Sequence, residues 1–243
     1  MKNRLTERIM DYLRLIQLSI QLTAGRRFYI TVLLPLLWPA FQAFLLLMGW
    51  RDTKIEAMNV QMLIGLPLVI YAIFLGIRII ASELDRRTLE VAYTVPGGSH
   101  RIWLANMTAS FCLLLFSEVL LAIFTLVLFT SFPFGSFYGA LQAAVFYMVV
   151  SMAFAVFFRS EISGAMATAV LLTMNIMIDS GVNLTNMINK RVSPFYNPLA
   201  FDSNMTNVSA YTIQNRILFI ILILAITLLT FSRTERREKM LGD

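Results

Sequence analysis

Six long apolar runs divide this chain of 243 residues and constrain its fold more than any other feature. An α-helix needs about 20 consecutive apolar residues to cross the hydrocarbon core of a bilayer. Only 14% of the residues are charged, against roughly 25% in soluble domains, which argues against a soluble protein. The sequence therefore predicts six transmembrane helices, at Tyr29–Gly49, Gln61–Ile80, Met107–Thr130, Tyr138–Phe158, Gly164–Ile178 and Ile217–Phe231.

The last two runs are short, but both can be extended. The fifth can continue past Asp179, and the sixth can begin at Tyr211 if Arg216 snorkels to the interface. We therefore predict an all-α integral membrane protein that forms a single transmembrane domain. Its parts are a cytoplasmic amphipathic helix (1–27), a six-helix membrane region (28–232) and a cytoplasmic tail (233–243).

The segment before the first run has an amphipathic pattern. Its apolar residues recur at helical spacing, and charged residues occupy the other side. This pattern predicts an interfacial helix on the inner membrane surface. Packing against another subunit is the alternative, and both can hold at once. The apolar face comprises Leu5, Ile9, Tyr12, Leu13, Ile16 and Ile20.

The basic residues predict the orientation. The formal net charge is +6, and most Lys and Arg residues lie in segments on the same side as the N-terminus. Cytoplasmic segments carry the excess of Lys and Arg in membrane proteins, so both termini are predicted to be cytoplasmic. Because topology explains the basic residues, we predict no nucleic-acid partner. Fifteen lie on the N-terminal side, and the five on the other side are Arg51, Lys54, Lys190, Arg191 and Arg216.

Sequence motifs for catalysis are missing. The chain has no G-x-x-x-x-G-K-[ST] loop to cradle ATP phosphates and no H-E-x-x-H motif. His100 is the sole histidine and Cys112 the sole cysteine, so a histidine-based triad or a Cys-rich metal site cannot form within the chain. We predict no cofactor and no enzymatic activity in this polypeptide.

A charged segment follows the second run. Glu83 and Arg87 stand four residues apart, in the order that stabilises a helix. Pro96-Gly97-Gly98 then forms a turn, and Ser99 can cap the next helix. The pattern predicts a short cytoplasmic helix followed by a tight reversal.

This segment resembles the corresponding part of ABC type-two exporter permeases. That family shows an acidic residue, an Arg-Thr or Gly-Thr pair, a Leu-Glu pair and then a proline before the next helix. Here Arg87-Thr88, Leu89-Glu90 and Pro96 match, followed by the stretch Ser99–Asn106. Six spans, an amphipathic N-terminal helix and a long loop with Asn197-Pro198-Leu199 before the sixth span are also similar to the family.

The resemblance implies a function and a set of partners. The chain would be the permease subunit of an exporter in a bacterial or archaeal cytoplasmic membrane. It would pair with a second permease chain, identical or homologous, and be powered by two separate ABC ATPase subunits. An unidentified substrate would leave between the permeases. The residues expected to contact the ATPase are Glu83, Arg86, Arg87, Leu89 and Glu90.

Three polar residues within the spans are candidates for the translocation path. Glu118 lies near the middle of the third span, where an ionised carboxylate is costly, so it should face protein or water or stay protonated. Asn175 and Asp179 share a face of the fifth helix. The alternatives are a structural hydrogen bond for Glu118 and a position at the outer helix end for Asp179.

The loop from Gly181 to Tyr211 mixes Asn, Ser and Pro with apolar residues, which predicts a folded or re-entrant cap. Two other functions remain open. One is an ion-coupled carrier, which an inverted repeat with broken helices would favour. The other is a membrane scaffold without transport.

Overall fold

The computed structural model describes residues 12, 14–21, 23, 25, 28–50, 55–81, 99–181, 192–200 and 207–234. Of residues 99–100, 179–181 and 200 only the backbone is described. Throughout these ranges the regular structure is helical and contains no strand. Six helices are long and apolar enough to cross a membrane, which confirms the predicted all-α membrane protein with six candidate spans.

The six spans are close to the predicted runs, with some ends shifted outwards. The first span is composite and consists of α1, a 3-10 turn and α2. The helices that form the third and the sixth span are the longest, with 30 and 27 residues. The elements are α1 (Phe28–Leu33), the 3-10 turn Leu34–Leu36, α2 (Leu37–Leu47), α3 (Ala57–Arg78), α4 (Ser99–Leu128), α5 (Phe134–Phe158), α6 (Glu161–Gly181), the 3-10 turn Pro198–Ala200 and α7 (Val208–Thr234).

Proline explains the 3-10 turn in the first span. Pro35 has no backbone N–H, so it cannot continue the α-helical hydrogen-bond ladder at this point. The hydroxyl of Ser117 on α4 donates to the carbonyl oxygen of Val32, at 3.0 Å, directly beside the turn. A polar side chain of a neighbouring helix thus supplies a hydrogen bond where the helical ladder changes.

Helices α3 and α5 form the centre of the bundle. About two thirds of the most apolar stretch of α3 and of α5 is buried (67% and 61%), against 17% of the corresponding stretch in the first, fifth and sixth spans. The outer spans therefore present most of their apolar surface to the surroundings, as lipid-facing helices do. Gly76 allows the close approach of α3 and α5, because a Cβ atom there would overlap Ser151 Oγ and the Met148 carbonyl oxygen.

Successive spans run in opposite directions. We call the end of the bundle at which α1 begins the proximal end, and the end at which α2 finishes the distal end. Only residues 159–160 connect α5 to α6 at the proximal end, where Arg159 adopts a left-handed conformation with φ of 54°. Such short connections require adjacent antiparallel helices.

Arg78 joins three parts of the chain at the proximal end. Its Nη1 atom donates to the carbonyl oxygen of Thr23, at 3.0 Å, and its Nε atom lies 3.9 Å from Glu161 Oε2 at the start of α6. Asn106 on α4 donates to the carbonyl oxygen of Ile79 just beyond α3. These contacts connect the end of the central helix to residues before the first span and to two other spans.

Candidate functional site

The predicted ATPase-coupling residues lie outside the described residues. The structure describes the chain up to Ala81 and again from Ser99, so the segment between them is known here by sequence only. The side chain of Asp179 is likewise not described. The coupling assignment therefore stays a prediction for Glu83, Arg86, Arg87, Leu89 and Glu90.

A largely irregular segment, which ends in the 3-10 turn Pro198–Ala200, enters the bundle from the distal end. Ser193, Phe195 and Tyr196 are buried, although they belong to irregular backbone between α6 and α7. The Phe195 ring lies 6.0 Å from the ring of Tyr147, which is in the middle of α5. The described part of the loop, 192–200, is thus folded and re-entrant. We call it the re-entrant segment.

Side-chain amides hydrogen-bond the backbone of the re-entrant segment. Gln61 Nε2 on α3 donates to the carbonyl oxygens of Tyr196, at 3.0 Å, and Phe195, at 3.4 Å. Asn215 Nδ2 on α7 donates to the carbonyl oxygen of Ser193, at 3.0 Å. Irregular backbone at membrane depth requires such partners, because lipid provides none. Side chains of two spans, α3 and α7, therefore hold the segment.

A glycine on α5 makes room for this arrangement. A Cβ atom at Gly139 on α5 would lie 2.7 Å from the Gln61 side-chain amide, so glycine permits Gln61 to lie against α5. At Gly65 on α3, a Cβ atom would be in ordinary van der Waals contact, 3.6 Å from that of Ala140 and 4.0 Å from the Phe195 ring, so Gly65 marks where α3, α5 and the segment meet. Because α3 and α5 are in close contact, the segment lies against both helices.

A chain of hydrogen bonds runs from this segment to Arg216. Asn215 Oδ1 accepts a hydrogen bond from Gln142 Nε2 on α5, at 3.1 Å. Gln142 Oε1 in turn accepts from Arg216 Nη1, at 3.0 Å. The Arg216 guanidinium also lies 5.1 Å from the centroid of the Tyr138 ring. Arg216 thus bonds inward to protein groups, whereas the sequence predicted only that it snorkels to the interface.

The structure does not join the two path residues whose side chains it describes, Glu118 and Asn175, into one site. Asn175 Nδ2 donates to the Tyr147 hydroxyl, at 3.1 Å, whereas Glu118 is approached by the backbone of Leu141. Leu141 and Tyr147 are both on α5, but six residues place them on different faces of the helix. Glu118 and Asn175 therefore contact the central helix at two separate places.

Glu118 is enclosed within the protein. Its residue exposure is 0%, and among the described residues neither carboxyl oxygen has a hydrogen-bond partner of good geometry. It therefore faces protein, which is one of the environments that the sequence analysis allowed. Buried polar groups without partners destabilise a fold, so such groups are most often retained for a function. Glu118 remains a candidate functional residue on these grounds.

Replacing Glu118 with methionine should increase the stability of the isolated chain. Methionine has a similar size and no polar group to desolvate, so we expect a gain of about 2 kcal/mol in the free energy of unfolding. Denaturation of the detergent-solubilised protein measures this gain. Glu56→Met is the matched control at an exposed position and should change stability by less than about 0.5 kcal/mol. Destabilisation by Glu118→Met would show that the carboxyl has a structural partner.

The buried amides were not singled out from sequence. Gln61, Gln142 and Asn215 are buried in apolar spans, and their intramembrane position was the available signal. Their partners lie far along the chain, so no local pattern indicates them. Across the described residues, no group of three or more His, Cys, Asp or Glu side chains could hold a metal ion.

Comparisons with known proteins add no relative to this description. The chain combines a helical bundle with six candidate spans, a re-entrant segment held by amides and an enclosed carboxyl on the third span. No family model, no curated protein and no solved structure matches the chain.

Proposed function

We propose that this chain is the permease subunit of an ATP-driven ABC exporter and that it forms the translocation path with a second permease chain. The observation that carries the proposal is the charged segment after the second span. There, Arg87-Thr88, Leu89-Glu90 and Pro96 match the pattern of type-two exporter permeases. The chain has no phosphate-binding loop, so a separate pair of ATPase subunits hydrolyses the ATP.

The position of this segment suits a coupling element. It follows α3 almost directly, and α3 is one of the two central helices of the bundle. The tight contact at Gly76 links α3 to α5 near the same end. Because close-packed interiors transmit displacement, a push on the segment would reach both central helices.

The proposal includes an orientation. Both termini and the coupling segment lie in the cytoplasm of a bacterial or archaeal cell, as the fifteen-to-five distribution of Lys and Arg indicates. The amphipathic N-terminal helix lies along the inner membrane surface. The distal end, with the re-entrant segment, then faces outwards. Glu118, Asn175 and Asp179 are the candidate residues of the translocation path.

An ion-coupled carrier is the second candidate function, and Glu118 favours it. Its carboxyl is enclosed and has no hydrogen-bond partner of good geometry among the described residues, and intramembrane carboxyls are a common feature of proton and ion pathways. Ser117, the residue before Glu118, hydrogen-bonds the first span directly beside its 3-10 turn, and interrupted helices are typical of such carriers. A scaffold without transport has no comparable observation in its favour.

Coupling-segment variants test the exporter directly. Leu89→Ala, Arg87→Glu and Glu90→Lys should each lower ATPase association by about 30-fold, because truncating an anchor at an interface can cost 2 kcal/mol or more. The ATPase that co-purifies with each tagged variant from native membranes is quantified. A solvated surface helix would tolerate these changes within about 0.5 kcal/mol.

The controls are the same substitution types placed elsewhere. Leu104→Ala removes an exposed leucine from the third span, and Arg51→Glu reverses a charge in the segment between the first two spans. Both should retain the ATPase. Wild-type association in all three coupling variants would contradict the coupling assignment and remove the main support for an exporter. Transport that follows an ion gradient without ATP would favour the carrier.

A further inference from the structure

Arg216 places a positive charge within the sixth span. It lies eight residues into α7, or about 12 Å from the start of the helix at Val208. Charged side chains inside a membrane are rare, and they commonly mark a ligand or ion site. The guanidinium therefore needs a polar or negatively charged partner, which lipid chains do not provide.

The guanidinium is held in place by protein groups. Gln142 accepts one of its five possible hydrogen bonds, and the Tyr138 ring lies beside it. Gln142 is itself fixed by its bond to Asn215. Arg216 and Tyr138 are both half-buried, so the site is open at its side. Among the described residues, no carboxylate forms an ion pair with Arg216.

We propose that Arg216, positioned by Gln142 and Tyr138, binds the phosphate of a phospholipid headgroup at the distal end of the bundle. A guanidinium matches phosphate geometry with two parallel N–H donors, which an ammonium group cannot do. The depth of Arg216, about two helical turns from the end of its span, suits a headgroup whose chains lie along α7. The exposed residues Ile217, Ile220 and Leu224, which follow Arg216 towards the middle of the span, provide an apolar surface for these chains.

The hydrogen-bond chain connects this site to the re-entrant segment. Arg216, Gln142, Asn215 and the carbonyl oxygen of Ser193 follow one another in a single line of donors and acceptors. Hydrogen bonds in such a chain polarise and strengthen one another. A bound phosphate that orders Arg216 should therefore also slow amide exchange in residues 192–200. This inference does not depend on the exporter proposal.

Lipid titration of the purified full chain tests the site. Native mass spectrometry compares binding of phosphatidylglycerol and diacylglycerol, which carry the same acyl chains, with binding of inorganic phosphate alone. We expect phosphatidylglycerol to bind the wild-type chain and Arg216→Gln to weaken it about tenfold. Arg233→Gln is the matched control, because Arg233 lies over an aromatic ring, Phe157, at the other end of α7. It should bind lipid like the wild type.

Several outcomes would overturn the proposal. Equal binding of diacylglycerol, or unchanged phosphatidylglycerol binding by Arg216→Gln, would remove the role of the phosphate. Binding of inorganic phosphate with no preference for the lipid would assign the site to a free anion instead. If Arg216→Gln does not fold, Arg216→Lys decides the question. Lysine keeps the positive charge but lacks the two parallel N–H donors of the guanidinium, so we expect about threefold weaker binding. Wild-type binding by this variant would contradict recognition of the phosphate by two parallel donors.

Discussion

Replacing Gly76 with alanine should lower the free energy of unfolding by about 1–3 kcal/mol, although alanine is the better helix former. The added Cβ atom would overlap Ser151 Oγ and the Met148 carbonyl oxygen, and would lie 2.9 Å from the carbonyl carbon. Two of these atoms belong to the α5 backbone and cannot move aside without shifting the helix. We therefore expect the central pair of helices to separate slightly along its length.

The measurement is thermal or denaturant unfolding of the chain in detergent. A loss of about 2 kcal/mol corresponds to a melting temperature lower by roughly 4–8 °C in a chain of this size. Gly135→Ala is the matched control, because no atom lies within 4 Å of a Cβ atom built at Gly135. It should be neutral or slightly stabilising. Equal stability of the two variants would contradict the close approach of α3 and α5.

Replacing Gln61 with leucine should release the re-entrant segment from the bundle. Leucine removes the donor that serves the carbonyl oxygens of Phe195 and Tyr196, and buried acceptors without a donor cost about 1–3 kcal/mol each. The cheapest response is local, since the segment can swing towards water without unfolding the helices. We expect amide exchange to accelerate at least tenfold within residues 192–200.

Hydrogen exchange followed by mass spectrometry measures this opening. The informative amides are those of Phe195 and Tyr196, which donate to the Ser193 side chain and backbone. Gln214→Leu is the matched control, because Gln214 is exposed on α7. Its exchange should match that of the wild type throughout. Unchanged protection of the segment in Gln61→Leu would show that apolar burial of Phe195 alone holds it in place.

The apolar runs predicted the spans well because lipid imposes a minimum length on each of them. The ends were less predictable. The helix of the third span, α4, begins at Ser99, close to the cap that the sequence predicted and ahead of the apolar run from Met107; Trp103 and Ala105 in this first part of the helix are buried within the bundle. The sixth begins at Val208, ahead of Tyr211, although it carries Arg216. Interior partners for Trp103 and Arg216 outweigh the polarity on which the predicted ends were based.

The candidate site was predictable only in part. The composition of residues 181–211 predicted a folded cap, and the described part of this loop is folded. The amides that hold it could not be assigned, since Gln61 and Tyr196 are 135 residues apart. The burial of Glu118 in protein could be predicted, because an exposed carboxylate in lipid is unfavourable. Its separation from Asn175 could not, because it depends on which face of α5 packs against each of the two residues. Such pairings are set by tertiary packing, which a local pattern does not contain.

The proposed exporter is tested by identifying what the chain is bound to in its native membrane. The tagged chain, extracted in a mild detergent, is weighed intact by native mass spectrometry and its partners are sequenced. We expect two permease chains of about 27.6 kDa each, or one with a homologous partner, together with two copies of a P-loop ATPase. A chain that purifies intact in folded form without any ATPase would contradict the proposed exporter.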